Sequence, residues 1–273
     1  MTRLYGVIGD PVHHSLSPLM HQAAYEACGL TAYYVPLHVK PDKLKEAIAG
    51  LRAMQFHGAN VTIPHKEAVI PLLDAIDTEA EKIGAVNTII NEDGILTGYN
   101  TDGTGYLRSL LSIRPHVLDE EILLLGAGGA ARAAAITLTN RGASVTIANR
   151  TVEKAEKLAA ECGAAFMSLQ EAEERQKEYP VIINSTSIGM YPDIDQRPLR
   201  LEADLDGCLV SDMIYNPWET KLLHEAEQAG AQTLNGFGMF IQQGADAFER
   251  WTGDDAPVQA MERAVREQLL KRG

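Results

Sequence analysis

Lys66 and Asp102 are the side chains in this chain best suited to moving a proton. Lys66 ends the run Asn60-Val61-Thr62-Ile63-Pro64-His65-Lys66, and Asp102 belongs to Gly98-Tyr99-Asn100-Thr101-Asp102-Gly103. A lysine and a carboxylate facing one small ligand can hold a hydroxyl and shuttle its proton. Pro64 stops a strand and is expected to open a helix with Lys66 in its first turn. There the positive end of the helix dipole disfavours a cation and lowers the lysine pKa. Taken alone, a lysine is usually a surface group and an aspartate in such a run a favoured turn residue; the polar residues around the pair carry the chemical reading. In Ser15-Leu16-Ser17-Pro18 two hydroxyls precede a helix, where they can donate to an anion alongside the helix N-terminus. Ser17 by itself reads as a helix cap. Gly84-Ala85-Val86-Asn87-Thr88 sets an amide at the start of a strand. The eight histidines show no ligand spacing, and His13 and His14 are loop neighbours, so no metal is expected.

A second chemistry is written at 122–132, Ile-Leu-Leu-Leu-Gly-Ala-Gly-Gly-Ala-Ala-Arg. An apolar strand leads into Gly126, Gly128 and Ala131, the G-x-G-x-x-G/A spacing, and an Ala-rich helix follows. The first glycine permits a tight turn, the second lets backbone approach a pyrophosphate, and the small third residue packs helix on strand. A glycine-rich turn can be a simple connection, so the motif needs its context. That context is a strand at 145–148 ending about twenty residues beyond the motif, where the ribose is read. Asn149 and Arg150 stand there with no acidic residue. A carboxylate would hold a ribose hydroxyl, whereas an arginine offers a planar fork of donors suited to a 2′-phosphate. The expected cofactor is NADP(H), its nicotinamide exchanging hydride at the carbon whose oxygen Lys66 serves.

These residues need a scaffold. The 273-residue chain suits one large domain or two ordinary ones. Its net charge of −13 argues against a nucleic-acid partner. Three scattered cysteines, Cys28, Cys162 and Cys208, suggest a reducing compartment. The N-terminus lacks a signal-peptide profile and no run has membrane-spanning length, so a cytoplasmic enzyme with no membrane partner is expected. Strand-like and helix-like stretches alternate, predicting α/β with parallel sheet. Strands are expected at 5–8, 32–39, 58–63, 88–91, 95–98, 122–125, 145–148, 181–184 and 208–212. Helices are expected at 18–28, 41–53, after Pro64, 105–112, after the glycine motif, 152–161, 220–229 and from about 238. Strands 88–91 and 95–98 make a hairpin. The charged run 170–178 reads as solvated surface. Gly103 and Gly105 are plausible hinge points between a front module and a nucleotide-binding module, with a small-molecule cleft between the two.

Taken together, the clusters resemble the shikimate dehydrogenase family, NADP-dependent enzymes of aromatic amino-acid biosynthesis. The resemblance runs nearly end to end. It rests on Gly9-Asp10-Pro11 with Ser15-Leu16-Ser17-Pro18, the Asn60–Lys66 run, Gly84–Thr88, Asn100–Gly103, Gly126–Ala131, Asn149-Arg150-Thr151, Asn184-Ser-Thr-Ser-Ile-Gly-Met190 and Gly236-Phe-Gly-Met-Phe-Ile-Gln-Gln243. It implies a two-domain α/β protein. The substrate-binding domain would be discontinuous, 1–102 with 238–273, and the Rossmann-type NADP-binding domain would span 103–237. It implies reversible reduction of 3-dehydroshikimate to shikimate, with Lys66 as proton donor and acceptor and Asp102 as its partner. Ser15 and Ser17 would bind the substrate carboxylate with Tyr215 nearby. Thr62, Lys66, Asn87, Asp102 and Gln243 would hold ring hydroxyls. Helical spacing from Met239 favours Gln243, with Gln242 a close alternative. Gly126, Ala127, Gly128, Gly129, Ala130, Asn149, Arg150, Thr151, Lys154, Met213 and Gly236 would line the NADP site.

A quinate/shikimate dehydrogenase of broader substrate or cofactor choice is the nearest rival. A binding module that has lost catalysis would be expected to lack Lys66 or Asp102. A methylenetetrahydrofolate dehydrogenase-like enzyme would explain neither the Ser-x-Ser-Pro element nor the Asn-Thr-Asp-Gly turn. Both monomers and homodimers are compatible with the resemblance.

Overall fold

The computed structural model describes residues 2–202 and 204–270. The chain divides into two compact units, Met1–Thr101 with Ile241–Gly273, and Asp102–Phe240. In the first unit the elements run β1 (Arg3–Gly9), α1 (Ser17–Ala27), β2 (Ala32–His38), α2 (Leu44–Ala53), β3 (Gly58–Val61), β4 (Ala75–Ile76), α3 (Thr78–Ile83), β5 (Thr88–Glu92) and β6 (Ile95–Tyr99). They build a six-stranded sheet in the order β2-β1-β3-β5-β6-β4. Leu44, Ile48 and Leu51 recur at helical spacing and bury one face of α2 against Ile8, Ala59, Val61 and Ile89 of the sheet. Met20, Ala24 and Tyr25 of α1 are buried as well.

Strand direction decides where the polar clusters lie. β1 runs parallel to β2 and β3, whereas β5 is antiparallel to both β3 and β6. The register pairs Ile8 with Val61, Asn60 with Thr88, and Thr88 with Tyr99. The C-terminal ends of β1, β3 and β6 and the N-terminal end of β5 therefore share one end of the sheet. At the other end the hairpin turns through Asp93 (φ 51°) and Gly94 (φ 89°), both left-handed as a two-residue hairpin loop demands.

The second unit contains α4 (Asp102–Ile113), β7 (Glu121–Leu125), α5 (Gly129–Thr139), β8 (Ser144–Asn149), α6 (Val152–Cys162), β9 (Ala165–Ser168), α7 (Leu169–Arg175), β10 (Val181–Asn184), β11 (Leu209–Asp212), α8 (Lys221–Gln228), β12 (Gln232–Leu234) and the start of α9 (Phe237–Thr252). Its six strands are all parallel, in the order β12-β11-β10-β7-β8-β9. That is the doubly wound dinucleotide-binding order, with the strand sequence reversing between β7 and β10. Alternate residues of β7 feed opposite cores: Ile122 and Leu124 pack with Ile147, Val181 and the α5 alanines, while Leu123 and Leu125 pack with Ile182, Val210 and Leu222. A strand covered on both faces has no polar side, which is why 122–125 reads as an unbroken apolar run. The rest of α9 and all of α10 (Val258–Leu270) return to the first unit, where Gly244 lies against Met20 and Met261.

Several expectations are corrected. No α-helix follows Pro64. Val69 N–H reaches the His65 carbonyl at 2.9 Å, but the Lys66 carbonyl is taken by Val86 N–H at 2.8 Å. Pro71 has no N–H with which to continue the ladder, and the segment ends in a short 3-10 turn at Ile70–Leu72. Lys66 thus lies in a hydrogen-bonded turn, and the helix-dipole argument for its pKa does not apply. β3 stops at Val61, leaving Thr62 just outside it. Gly103 and Gly105, read as loop glycines, are buried inside α4. A Cβ on Gly103 would run into the Thr137 hydroxyl and lie 2.8 Å from the Ala133 carbonyl oxygen, so its role is close packing of α4 on α5. The charged run forms α7, opened by a reciprocal cap between Ser168 and Glu171.

Candidate active site

In the first unit the shared sheet end gathers Ser15 and Ser17 after β1, Thr62 and Lys66 after β3, Asn87 before β5 and Thr101 after β6. Backbone hydrogen bonds join these loops. Thr62 N–H donates to Ile8 O, Asp10 N–H to Ile63 O, Val61 N–H to Asn87 O, Val86 N–H to Lys66 O and Asn87 N–H to Tyr99 O, all at 2.8–3.1 Å. Lys66 is half-buried, and its neighbour His65 is fully buried with Nε2 2.6 Å from the Val39 carbonyl. A carbonyl can only accept, so that nitrogen carries the proton. His65 anchors the loop, a role the sequence did not mark. Ser17 does not cap α1: the cap position is Leu16, no side chain caps the helix, and the Ser15 hydroxyl accepts from Ser17 N–H at 3.2 Å. Both serines therefore stand at an uncapped helix N-terminus, which suits a bound carboxylate. Gln242 and Gln243 are both half-buried on α9, beside Gly244.

Behind Asn87 lies a buried polar group that sequence reasoning misses. Tyr34 OH donates to Asn60 Oδ1 at 2.7 Å, and Asn60 Nδ2 donates to Asn87 O at 3.1 Å and Thr88 Oγ1 at 3.0 Å. Thr88 Oγ1 donates to Asn87 Oδ1 at 3.0 Å, which also accepts from Thr101 N–H at 2.8 Å. The available signal is the Asn60 of the first motif, which β-strand alternation turns inward.

In the second unit the residues expected to bind a dinucleotide line the carboxyl ends of the parallel strands. Gly126 takes φ +112°, and its N–H donates to Ala148 O at 2.8 Å. α5 starts at Gly129 with no side-chain cap. A Cβ on Gly128 or Gly129 would meet nothing within 4 Å, and Ala130 beside them is exposed. That is an open cradle of helix N-terminal N–H groups, as a pyrophosphate needs. Asn149 ends β8 and donates from its amide to Thr151 O at 2.9 Å; Arg150 and Lys154 are exposed beside it, with no carboxylate in 149–151. Met213 follows β11 and meets Gly236, whose Cβ would collide with the Met213 carbonyl. Tyr215 stacks on Phe240 with ring centroids 5.2 Å apart. Asp102 is half-buried in the first turn of α4.

Asn184 and Asp212, which no site assignment included, tie the loops after β10 and β11 together. Asn184 Nδ2 donates to Asp212 Oδ1 at 3.1 Å, and Asp212 accepts further from Ile214 N–H at 3.0 Å and Thr220 Oγ1 at 2.8 Å. Burial pushes the Asp212 carboxyl up to about 6 against the pull of these hydrogen bonds. Among the described residues no cluster of metal ligands occurs, and no helix is long and apolar enough to cross a membrane.

Comparison with known proteins bears on these sites. Residues 7–89 match the family described as "Shikimate dehydrogenase substrate binding domain", residues 110–191 "Shikimate / quinate 5-dehydrogenase", and residues 236–266 "Shikimate 5'-dehydrogenase C-terminal domain". The shikimate dehydrogenase (NADP(+)) of Geobacillus sp. strain WCH70 is 52% identical, covering 98% of this chain and 99% of that protein. A shikimate dehydrogenase crystallised with NADP+ is 45% identical with TM-score 0.91, covering 98% of this chain and 96% of that one. The shikimate 5-dehydrogenase of Thermus thermophilus, solved with NADP(H) and shikimate, is 37% identical with TM-score 0.88, covering 97% of this chain and 99% of that one.

Proposed function

The chain belongs to the shikimate dehydrogenase family, and on that premise we propose that it interconverts 3-dehydroshikimate and shikimate with NADP(H), Lys66 moving the proton. The observation that carries this reading is the convergence of Ser15, Ser17, Thr62, Lys66 and Asn87 on one sheet end of the first unit. One uncapped helix N-terminus with two hydroxyls suits a carboxylate, and the amide, hydroxyl and amine beside it suit a ring bearing hydroxyls.

Ser15 and Ser17, with Tyr215, hold the carboxylate. Thr62, Asn87, Asp102 and Gln243 orient the ring hydroxyls. Lys66 protonates the C3 oxygen as the carbonyl becomes a hydroxyl and takes the proton back in the reverse direction, with Asp102 as its partner. When bound, NADP(H) supplies or accepts the hydride at C3. The cradle of Gly126, Ala127, Gly128, Gly129 and Ala130 suits its pyrophosphate. Arg150, Thr151 and Lys154, with Asn149, suit the 2′-phosphate, and Met213 and Gly236 the nicotinamide. The first unit is thus the substrate-binding domain and the second the NADP-binding domain of a cytoplasmic enzyme acting as a monomer or homodimer.

The test follows reduced-nicotinamide absorbance with shikimate or quinate, each paired with NADP or NAD. Preference for shikimate with NADP is expected. Comparable efficiency with quinate or NAD would move the protein to the broader quinate/shikimate class and remove Arg150 as the determinant of cofactor choice. Lys66→Ala should lower kcat about 10²–10⁴-fold, the usual worth of general acid–base catalysis, with NADP affinity unchanged. Full turnover in that variant would refute the assignment.

A further inference from the structure

The amide of Asn87 has its polarity dictated from behind. The Thr101 backbone N–H, 2.8 Å from Asn87 Oδ1, can only donate, so the oxygen of the amide must face it. On the same residue, the Asn87 backbone carbonyl can only accept, and Asn60 Nδ2 lies 3.1 Å from it. That fixes Asn60 as well: its Oδ1 faces Tyr34 OH at 2.7 Å and its Nδ2 faces Thr88 Oγ1 at 3.0 Å. Receiving that N–H, the Thr88 hydroxyl donates to Asn87 Oδ1 at 3.0 Å, the shorter of its two contacts, with Thr101 Oγ1 at 3.3 Å. Two backbone groups thus set the orientation of both amides; Asn87 Nδ2 gives one proton to Thr101 Oγ1 at 3.0 Å and has a second to offer a ligand. Tyr34, Asn60, Asn87, Thr88 and Thr101 are all buried, with Thr88 fully so. Competing solvent donors are excluded, and an unmet partner here is costly.

We propose that Thr88 is a positioning residue that locks the orientation of the Asn87 amide, so that Asn87 meets the substrate as a hydrogen-bond donor. The substrate atom read by Asn87 is then an acceptor oxygen. This rests on the reading above that Asn87 contacts a ring hydroxyl. Thr88 itself touches no substrate; it acts through Asn87, whose oxygen is held between the Thr88 hydroxyl and the Thr101 N–H.

The experiment is a kinetic double-mutant cycle on the purified enzyme with shikimate and NADP. Thr88→Val keeps the shape of the side chain and removes the hydroxyl. It should raise KM for shikimate about tenfold, the worth of one hydrogen bond of about 1.4 kcal/mol, and leave KM for NADP unchanged. Thr88→Ser, which keeps the hydroxyl, should hold KM within about threefold of wild type. In an Asn87→Ala background Thr88→Val should add nothing. Additive losses in the two substitutions, or a Thr88→Val enzyme with unaltered KM, would overturn the proposal while leaving Asn87 in its site. A silent Asn87→Ala would overturn the underlying reading and the proposal with it. If Thr88→Val does not yield folded enzyme, Thr88→Ala carries the same cycle.

Discussion

Acidifying the protein should unfold it in part through one histidine. His21 on α1 is fully buried, and its ring stacks on Tyr34 with centroids 4.4 Å apart and planes 10° off parallel. Trp251 packs at 5.2 Å, and neither ring nitrogen has a hydrogen-bond partner among the described residues. Burial pushes the imidazole pKa down to about 3, the nearby Asn60 amide opposing it only weakly. In the unfolded chain it returns to about 6.5. Above about pH 6.5 neither state binds a proton there and the stability is complete. Below it the unfolded chain takes a proton that the native state refuses, so stability falls by about 1.4 kcal/mol per pH unit. At pH 5 the loss from this residue is about 2 kcal/mol, and at pH 3 it is about 4 kcal/mol. Urea unfolding of wild type and His21→Phe at pH 7 and pH 5 measures it. Phenylalanine preserves the volume and the stack but cannot titrate. Wild type should lose about 2 kcal/mol more than the variant over that interval. Parallel losses in both proteins would refute the argument.

Gly128→Ala should fold with an unchanged melting temperature, since its Cβ meets nothing within 4 Å, yet raise KM for NADP if that space receives the pyrophosphate as proposed; normal NADP kinetics would relocate the phosphates. Gly103→Ala should cost about 1–3 kcal/mol by overpacking α4 against Thr137 and Ala133, as read by thermal unfolding. Asp212 carries the opposite pH signature to His21. Its folded pKa of about 6 lies above the unfolded value. Stability is therefore complete below about pH 4 and falls by about 3 kcal/mol as pH rises to 6, a fall that Asp212→Asn should abolish in denaturant titrations.

The second unit is the more legible in sequence. Leu123 and Leu124, covered on both faces, announce a central parallel strand, and the glycines after them mark a turn that only a small residue can make. Its edges are harder. β9 and β12 are short strands in which Ala165, Phe166 and Gln232 are exposed, so no period shows. In the first unit the turn after Pro64 departs from the local expectation because its outcome depends on a distant donor. Val86 N–H takes the Lys66 carbonyl, a contact invisible to any local window. The same limit hides Tyr34, Asn60 and Thr88. Each is an ordinary strand residue until the registers linking β2, β1, β3 and β5 bring them together. Ser17 fails as a cap for a different reason: helix start rules do not distinguish the first residue of a helix from the one before it.

The antiparallel hairpin has a consequence for how this protein can be altered. In a wholly parallel sheet, only segments that follow strands reach the ligand end. Reversing β5 lets the segment before a strand contribute too, so Asn87 and Thr101 bracket one hairpin and converge on the same place. The excursion between them travels the full length of the sheet and back, turning at Asp93-Gly94. That tip is accordingly remote from Asn87 and Thr101 yet covalently coupled to both. It is a natural attachment point for a spectroscopic label or an inserted reporter peptide, able to sense strain in the hairpin without obstructing the ligand.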